Sequence, residues 1–176
     1  MSEANPVTAI CPGTYDPVTN GHLDIISRAA AIFDRVVVGV VREPSHKSPL
    51  FTVEERVVFL RDALGGMDNV EVEEFAELVV DFARRFRART MVKGLRAISD
   101  FEWEFQMHHL NRTLAPEIET MYLIADSQFS FVSSSSVKEI ASFGGNVEGL
   151  VPDAVVRRFQ ELFPRPKPGA PLGPQE

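Results

Sequence analysis

Five short apolar runs rich in β-branched residues, at 7–11, 36–41, 70–72, 90–92 and 121–124, recur along the chain between longer segments of helical spacing. Runs this short, without polar alternation, read as strands buried on both faces. The segments between them, 23–33, 53–64, 78–86 and 101–114, place apolar side chains three and four residues apart. Strands that alternate with helices are joined by crossovers, which makes them parallel. The pattern predicts an α/β fold, a doubly wound sheet of about five parallel strands with helices on both faces.

Local signals set several boundaries. Thr52 and Glu55 have the spacing of a capping box at the start of the second helix, and Gly65-Gly66 offers a stop for it. A fifth helix is expected after Ser133, running through Phe143 to Gly144-Gly145, and a sixth over 153–163. With 176 residues, 44% of them hydrophobic, the chain fits a single domain over 1–163. The remainder, 164–176, reads PRPKPGAPLGPQE; rich in proline and poor in apolar side chains, it is expected to be a disordered tail.

Composition narrows the setting. The single Cys11 lies in a strand-like run, provides no disulfide framework or zinc pattern, and fits a reducing cytoplasmic location. No apolar run approaches the ~20 residues of a membrane helix, and the first residues lack the basic and apolar sections of a signal peptide. A soluble protein is expected. A formal net charge of −7 argues against broad attraction to nucleic acid or an anionic membrane. Placed cations must therefore meet any anionic ligand.

The first strand runs into Ile10-Cys11-Pro12-Gly13-Thr14-Tyr15-Asp16-Pro17-Val18-Thr19-Asn20-Gly21-His22-Leu23, which carries more polar groups than a turn requires. In an open parallel sheet, ligands bind beyond the carboxyl ends of strands, where this loop lies. Free N–H groups at the following helix start favour a phosphate, Thr14 adds a hydroxyl and His22 an imidazole, and glycines let a nucleotide approach the backbone. Read alone, the stretch is equally an Asx-type turn with a histidine cap. It is neither a Walker loop nor a Gly-x-Gly-x-x-Gly dinucleotide pattern.

Four ordered blocks sharpen this reading: 12–22 with Thr19-Asn20-Gly21-His22; Phe51-Thr52-Val53-Glu54-Glu55-Arg56; Lys93-Gly94-Leu95-Arg96-Ala97 followed by Asp100-Phe101-Glu102; and Ser130-Phe131-Val132-Ser133-Ser134-Ser135. Together they resemble the phosphopantetheine adenylyltransferase family, Rossmann-like nucleotidyltransferases marked by His-x-Gly-His or Thr-x-Gly-His, over roughly residues 7–160. The resemblance implies adenylyl transfer from ATP to 4′-phosphopantetheine by direct in-line attack. It also implies magnesium held mainly by ATP phosphates and water with no protein ligand set, a homohexamer, and feedback inhibition by coenzyme A.

Residue roles follow from the same resemblance. His22 stabilises the reacting α-phosphate, with Thr14, Lys47 and Arg96 as further catalytic groups. ATP contacts fall on Thr14, Tyr15, His22, Gly94, Leu95, Arg96, Glu104, Phe129, Ser130, Phe131, Val132, Ser133, Ser134 and Ser135. Substrate contacts fall on Thr14, Lys47, Val79 and Lys93. In the PSHKSPLF loop the chain is one residue longer than the family pattern, so Lys47 and His46 both remain candidates for the substrate-phosphate position. Lys93 stands where many members have arginine, which keeps the charge but removes the planar two-pronged contact. Ser136 stands where members have leucine and is expected to disturb the helix start mildly.

Without the resemblance, Lys47 and Glu104 read as solvated charges, Val79 as core, and Trp103, His108 and His109 as packing or surface residues. Two competing functions share the first loop: a nucleotidyltransferase with a different acceptor, such as nicotinamide mononucleotide or glycerol phosphate, and a nucleotide-binding module without chemistry. Acceptor-dependent pyrophosphate release distinguishes all three.

Overall fold

A computed structural model of the chain describes residues 6–44 and 48–164. Strands β1 (Thr8–Gly13), β2 (Arg35–Val41), β3 (Val70–Phe75), β4 (Thr90–Leu95) and β5 (Glu119–Ile124) form one parallel sheet in the order β3-β2-β1-β4-β5. Helices α1 (Asn20–Ala30), α2 (Val53–Leu64), α3 (Val79–Arg85), α4 (Ile98–Leu114), α5 (Ser134–Ser142) and α6 (Asp153–Leu162) complete it. The expected α/β architecture is present, with helices on both faces. Residues 165–176, nearly all of the expected tail, lie outside the described residues.

Alternation along the strands divides the core in two. Ala9 and Cys11, Val36, Val38 and Val40, and Val92 face a cluster with α1, α2, α5 and α6, while Ile10, Val37 and Met91 face α3 and the residues just after α4. The central strands β1, β2 and β4 are thus apolar on both sides, which is why their sequences read as continuous runs. β3 extends three residues beyond its apolar run, to Phe75. It is an edge strand, so Glu71 and Glu74 stay half in solvent and pair with Arg35 of β2 and with Arg42 just after it.

The helix limits have specific chemistry. At α2, Thr52 Oγ1 accepts from Glu55 N and Glu55 Oε2 accepts from Thr52 N, completing the expected box. Gly65 caps that helix in a right-handed conformation (φ −60°), so the expected glycine stop does not use a left-handed residue there. α5 does: Gly144 has φ 74°, its N–H reaches Ala141 O at 2.9 Å, and Gly145 N–H reaches Ile140 O at 2.8 Å. These are the two reversed hydrogen bonds of a Schellman end.

The strand order reverses between β1 and β4. β1 pairs with β2 from Thr8 to Gly13, but with β4 only at Ala9 and Ile10. Beyond that point the two carboxyl ends separate. Pro12, with no N–H to donate, stands in this separated part. The resulting crevice is the topological switch point at which open α/β sheets bind ligands.

Candidate active site

A cleft of about 460 Å³ opens at this crevice. Cys11, Pro12, Gly13, Val92, Lys93 and Gly94 come to it from the two parted strand ends. Thr14, Tyr15, Thr19, Gly21 and His22 come from the loop and α1, and Arg96, Asp100, Trp103 and Glu104 from the end of β4 and α4. Segments far apart in sequence therefore share one cavity, and His22, Lys93 and Arg96 converge on it.

The position of His22 follows from helix capping. Thr19 is the N-cap of α1; its Oγ1 accepts from His22 N at 3.3 Å, and its own N–H donates to His22 Nδ1 at 3.0 Å. The imidazole fills the role that a Glu or Gln side chain plays in a usual capping box. Because Nδ1 accepts, the ring proton sits on Nε2, the polar atom left for a ligand. Burial, assisted by the charge of Arg96, lowers the His22 pKa to about 4. The ring is therefore neutral near pH 7.

Tyr15 holds the loop from inside. Its backbone is left-handed (φ 51°), its hydroxyl donates to Cys11 O at 2.8 Å, and its ring meets His22 edge-on with centroids 5.1 Å apart. The ring also covers Gly13, where a Cβ would lie 2.9 Å from Tyr15 Cε2. That glycine makes room for tyrosine, whereas the sequence reading gave the space to nucleotide. Burial pushes the Cys11 thiol up to about 12, leaving it protonated and without nucleophilic character.

Both cations in the cleft have partners. Arg96 donates through Nε and Nη2 to the two carboxylate oxygens of Asp100, each at 3.1 Å, and through Nη1 to Val132 O at 3.0 Å. This fork contact holds the Asp100 carboxyl below its usual range although partial burial opposes it. Lys93 Nζ lies 3.4 Å from Glu104 Oε1. Asp100, Trp103 and Glu104 share one face of α4 by their three- and four-residue spacing. Trp103, read from sequence as packing or surface, lines the cleft while 55% exposed; a lone aromatic in a helical pattern gave no signal of this.

The remaining expected residues fall in different places. Phe129 and Val132 line the cleft, but Ser130, Phe131, Ser133, Ser134 and Ser135 are outside its lining, with Phe131 71% exposed. Ser133 caps α5, accepting from Ser136 N at 3.0 Å, and its hydroxyl lies 2.7 Å from that of Ser136. Ser136 thus reinforces the helix start that it was expected to disturb. Leu95 is buried at the end of β4, and Val79 opens α3 and packs on the second core with Val41 and Phe86, away from the cleft. Lys47 and His46 lie outside the described residues.

Among the described residues no group of three or more His, Cys, Asp and Glu side chains is placed to hold a metal. Also among them, no helix is long and apolar enough to cross a membrane.

A cleft at the switch point of a parallel sheet defines a ligand-binding α/β protein, and the cytidylyltransferase-like family model matches residues 10–140. The phosphopantetheine adenylyltransferase of Heliobacterium modesticaldum is 51% identical over 155 residues, covering 88% of this chain and 92% of its own. That of Dictyoglomus turgidum is 48% identical over 157 residues, covering 89% and 98%. The chain belongs to the phosphopantetheine adenylyltransferase family of nucleotidyltransferases.

Proposed function

We propose that the chain transfers the adenylyl group of ATP to 4′-phosphopantetheine, giving dephospho-coenzyme A and pyrophosphate in coenzyme A biosynthesis. The observation that carries this reading is the meeting of the His22 Nε2–H donor with Lys93 and Arg96 in one cleft. A phosphate oxygen of the acceptor forms a bond to the α-phosphorus as the bond to pyrophosphate breaks on the opposite side. The acceptor phosphate is ionised near neutral pH, so no protein base is required, and the protonated Cys11 supports a route without a covalent intermediate.

Catalysis then rests on placement and charge. His22 donates to the α-phosphate oxygens, and Thr14 and Tyr15 hold the loop around it. Arg96 exchanges Asp100 for the β- and γ-phosphates, keeping a two-pronged contact. Lys93 leaves Glu104 for the acceptor phosphate, where Lys47 or His46 joins it and Val79 contributes farther along the substrate. Glu104, Gly94 to Arg96 and the segment 129–135 hold ATP.

A nucleotidyltransferase acting on ATP uses a divalent cation. The acids of the cleft, Asp100 and Glu104, are engaged with Arg96 and Lys93, which does not fit a protein cage. Magnesium in this reading is carried by ATP phosphates and water, and no step is assigned to it. Coenzyme A occupies the same cleft as an inhibitor, the protein acts in the cytoplasm, and copies assemble as a homohexamer.

The test is pyrophosphate release with ATP and a panel of acceptors, run on the parent and on His22→Ala. Phosphopantetheine should be the preferred acceptor over nicotinamide mononucleotide and glycerol phosphate. His22→Ala should lower kcat by about 10²–10³-fold with little change in ATP binding. Faster turnover with another acceptor, or equal losses in kcat and ATP affinity, overturns the reading.

A further inference from the structure

Two separately built parts of the site must act on adjacent phosphates of a single ATP. One is the loop 14–19 with His22, anchored on β1 and α1. The other is the amino-terminal turn of α5, which packs in the same core cluster as α1 and to which the adenylyl-transfer reading gives an ATP contact, although its serines lie outside the cleft lining. Among the described residues, no backbone hydrogen bond joins 14–19 to 133–142. Side chains provide the polar ties.

Asp16 is central to these ties. Its carboxylate is 5% exposed and accepts from Leu50 N at 3.0 Å, from Phe51 N at 2.9 Å, and from Lys138 Nζ on α5. Ser134 Oγ, one turn before Lys138, donates to Pro17 O at 2.8 Å. The nearby guanidinium of Arg56 gives its hydrogen bonds to backbone carbonyls, with none to Asp16, so Lys138 is the cation in direct contact with this buried carboxylate. A buried charge needs such a partner. Neither Asp16 nor Lys138 lines the cleft.

We infer that Asp16 and Lys138 are a positioning pair, which with Ser134 sets the distance between His22 and the phosphate-binding end of α5. The inference rests on the adenylyl-transfer reading of the site. It assigns Asp16 and Lys138 no contact with substrate. Their effect is to keep the α-phosphate donor in register with the groups that take the departing pyrophosphate. An error of about 1 Å in such register is enough to cost roughly 10²-fold in rate.

The experiment compares Lys138→Met, Lys138→Arg and Ser134→Ala with the parent in kcat, ATP affinity by calorimetry, melting temperature, and hydrogen exchange over 14–19 and 133–142. Lys138→Met should lower kcat by about 10–100-fold while ATP affinity changes by less than about threefold. Lys138→Arg should restore most of the loss, and adding Ser134→Ala to Lys138→Met should accelerate exchange in both segments. A folded Lys138→Met variant with parental kcat and parental exchange overturns the pair. So does a fall in ATP affinity matching the fall in kcat, which would make Lys138 a direct nucleotide contact. If Lys138→Met does not fold, Lys138→Gln is read by the same criteria. A parent that releases no pyrophosphate with phosphopantetheine defeats the functional reading instead, and the exchange measurements still decide whether the pair ties the two segments.

Discussion

At the scale of the residue, His22 in the proposed reaction performs two tasks with two nitrogens. Nδ1 closes the capping box of α1, and this bond dictates that Nε2 carries the proton. The folding role therefore sets the chemical role, since a donor aimed at phosphate must keep its N–H without needing a positive charge. With the pKa lowered to about 4 by burial and then by Arg96, the folded ring binds a proton less readily than the unfolded chain, whose histidine titrates near 6.5. The sign follows: as pH falls from about 6.5 toward 4, the unfolded state gains its proton first and stability is lost, while above that window the ring contributes no pH dependence. Imidazole NMR of the apo protein, assigned with His22→Gln, should show an Nε2–H neutral ring that does not titrate between pH 8 and 5.5. A midpoint near 6.5 would remove the argument for a neutral donor.

At the scale of the element, the loop after β1 owes its shape to Arg56, which sits in the first turn and a half of α2 and is 1% exposed. Its guanidinium donates to Thr14 O and Val41 O at 2.8 Å and to Arg42 O at 3.0 Å, while Nε faces Phe51 O and Thr52 O. Five donors in a fixed planar fork join the loop after β1, the end of β2 and the start of α2. Lysine keeps the charge but has three donors at one point, so Arg56→Lys leaves buried carbonyls unpaired, at about 1–3 kcal/mol. For a chain of this size the melting temperature should fall by about 2–12 °C, which scanning fluorimetry will read; an unchanged value would show that water or other donors replace the fork. Sequence gave Arg56 only as a letter in a matching block, because a buried arginine bonded to carbonyls has no periodic signature. Strands and helices were legible because two-sided burial and capping chemistry are local. His22 was legible as part of a motif, but Trp103, Asp16 and Lys138 depend on contacts between segments, and their neighbours in sequence say nothing of these.

At the scale of the whole molecule, α4 is incompletely covered. None of its described side chains is buried, and Ile98, Phe101, Phe105, Leu110 and Leu114 are all exposed beside edge strand β5, which adds exposed Met121 and Ile124. So many large apolar side chains left in solvent on one helix and the strand beside it mark a contact with another protein. His108 carries the same message, since its buried Nδ1 has no hydrogen-bond partner within the chain among the described residues. In the proposed hexamer a second copy would supply that cover. The same helix presents Asp100, Trp103 and Glu104 to the cleft, so the proposed assembly would buttress one wall of that cleft. Each copy carries a formal net charge of −7, and the apolar contact must overcome that repulsion, which added salt screens. Light scattering should therefore give a mass near six times 19.6 kDa at moderate ionic strength, with dissociation favoured at low salt. Leu110→Glu should shift the population toward smaller species and lower kcat although Leu110 does not line the cleft. A parent that remains a monomer rejects the assembly, and a dissociated Leu110→Glu variant with parental kcat separates the interface from the wall it was argued to support.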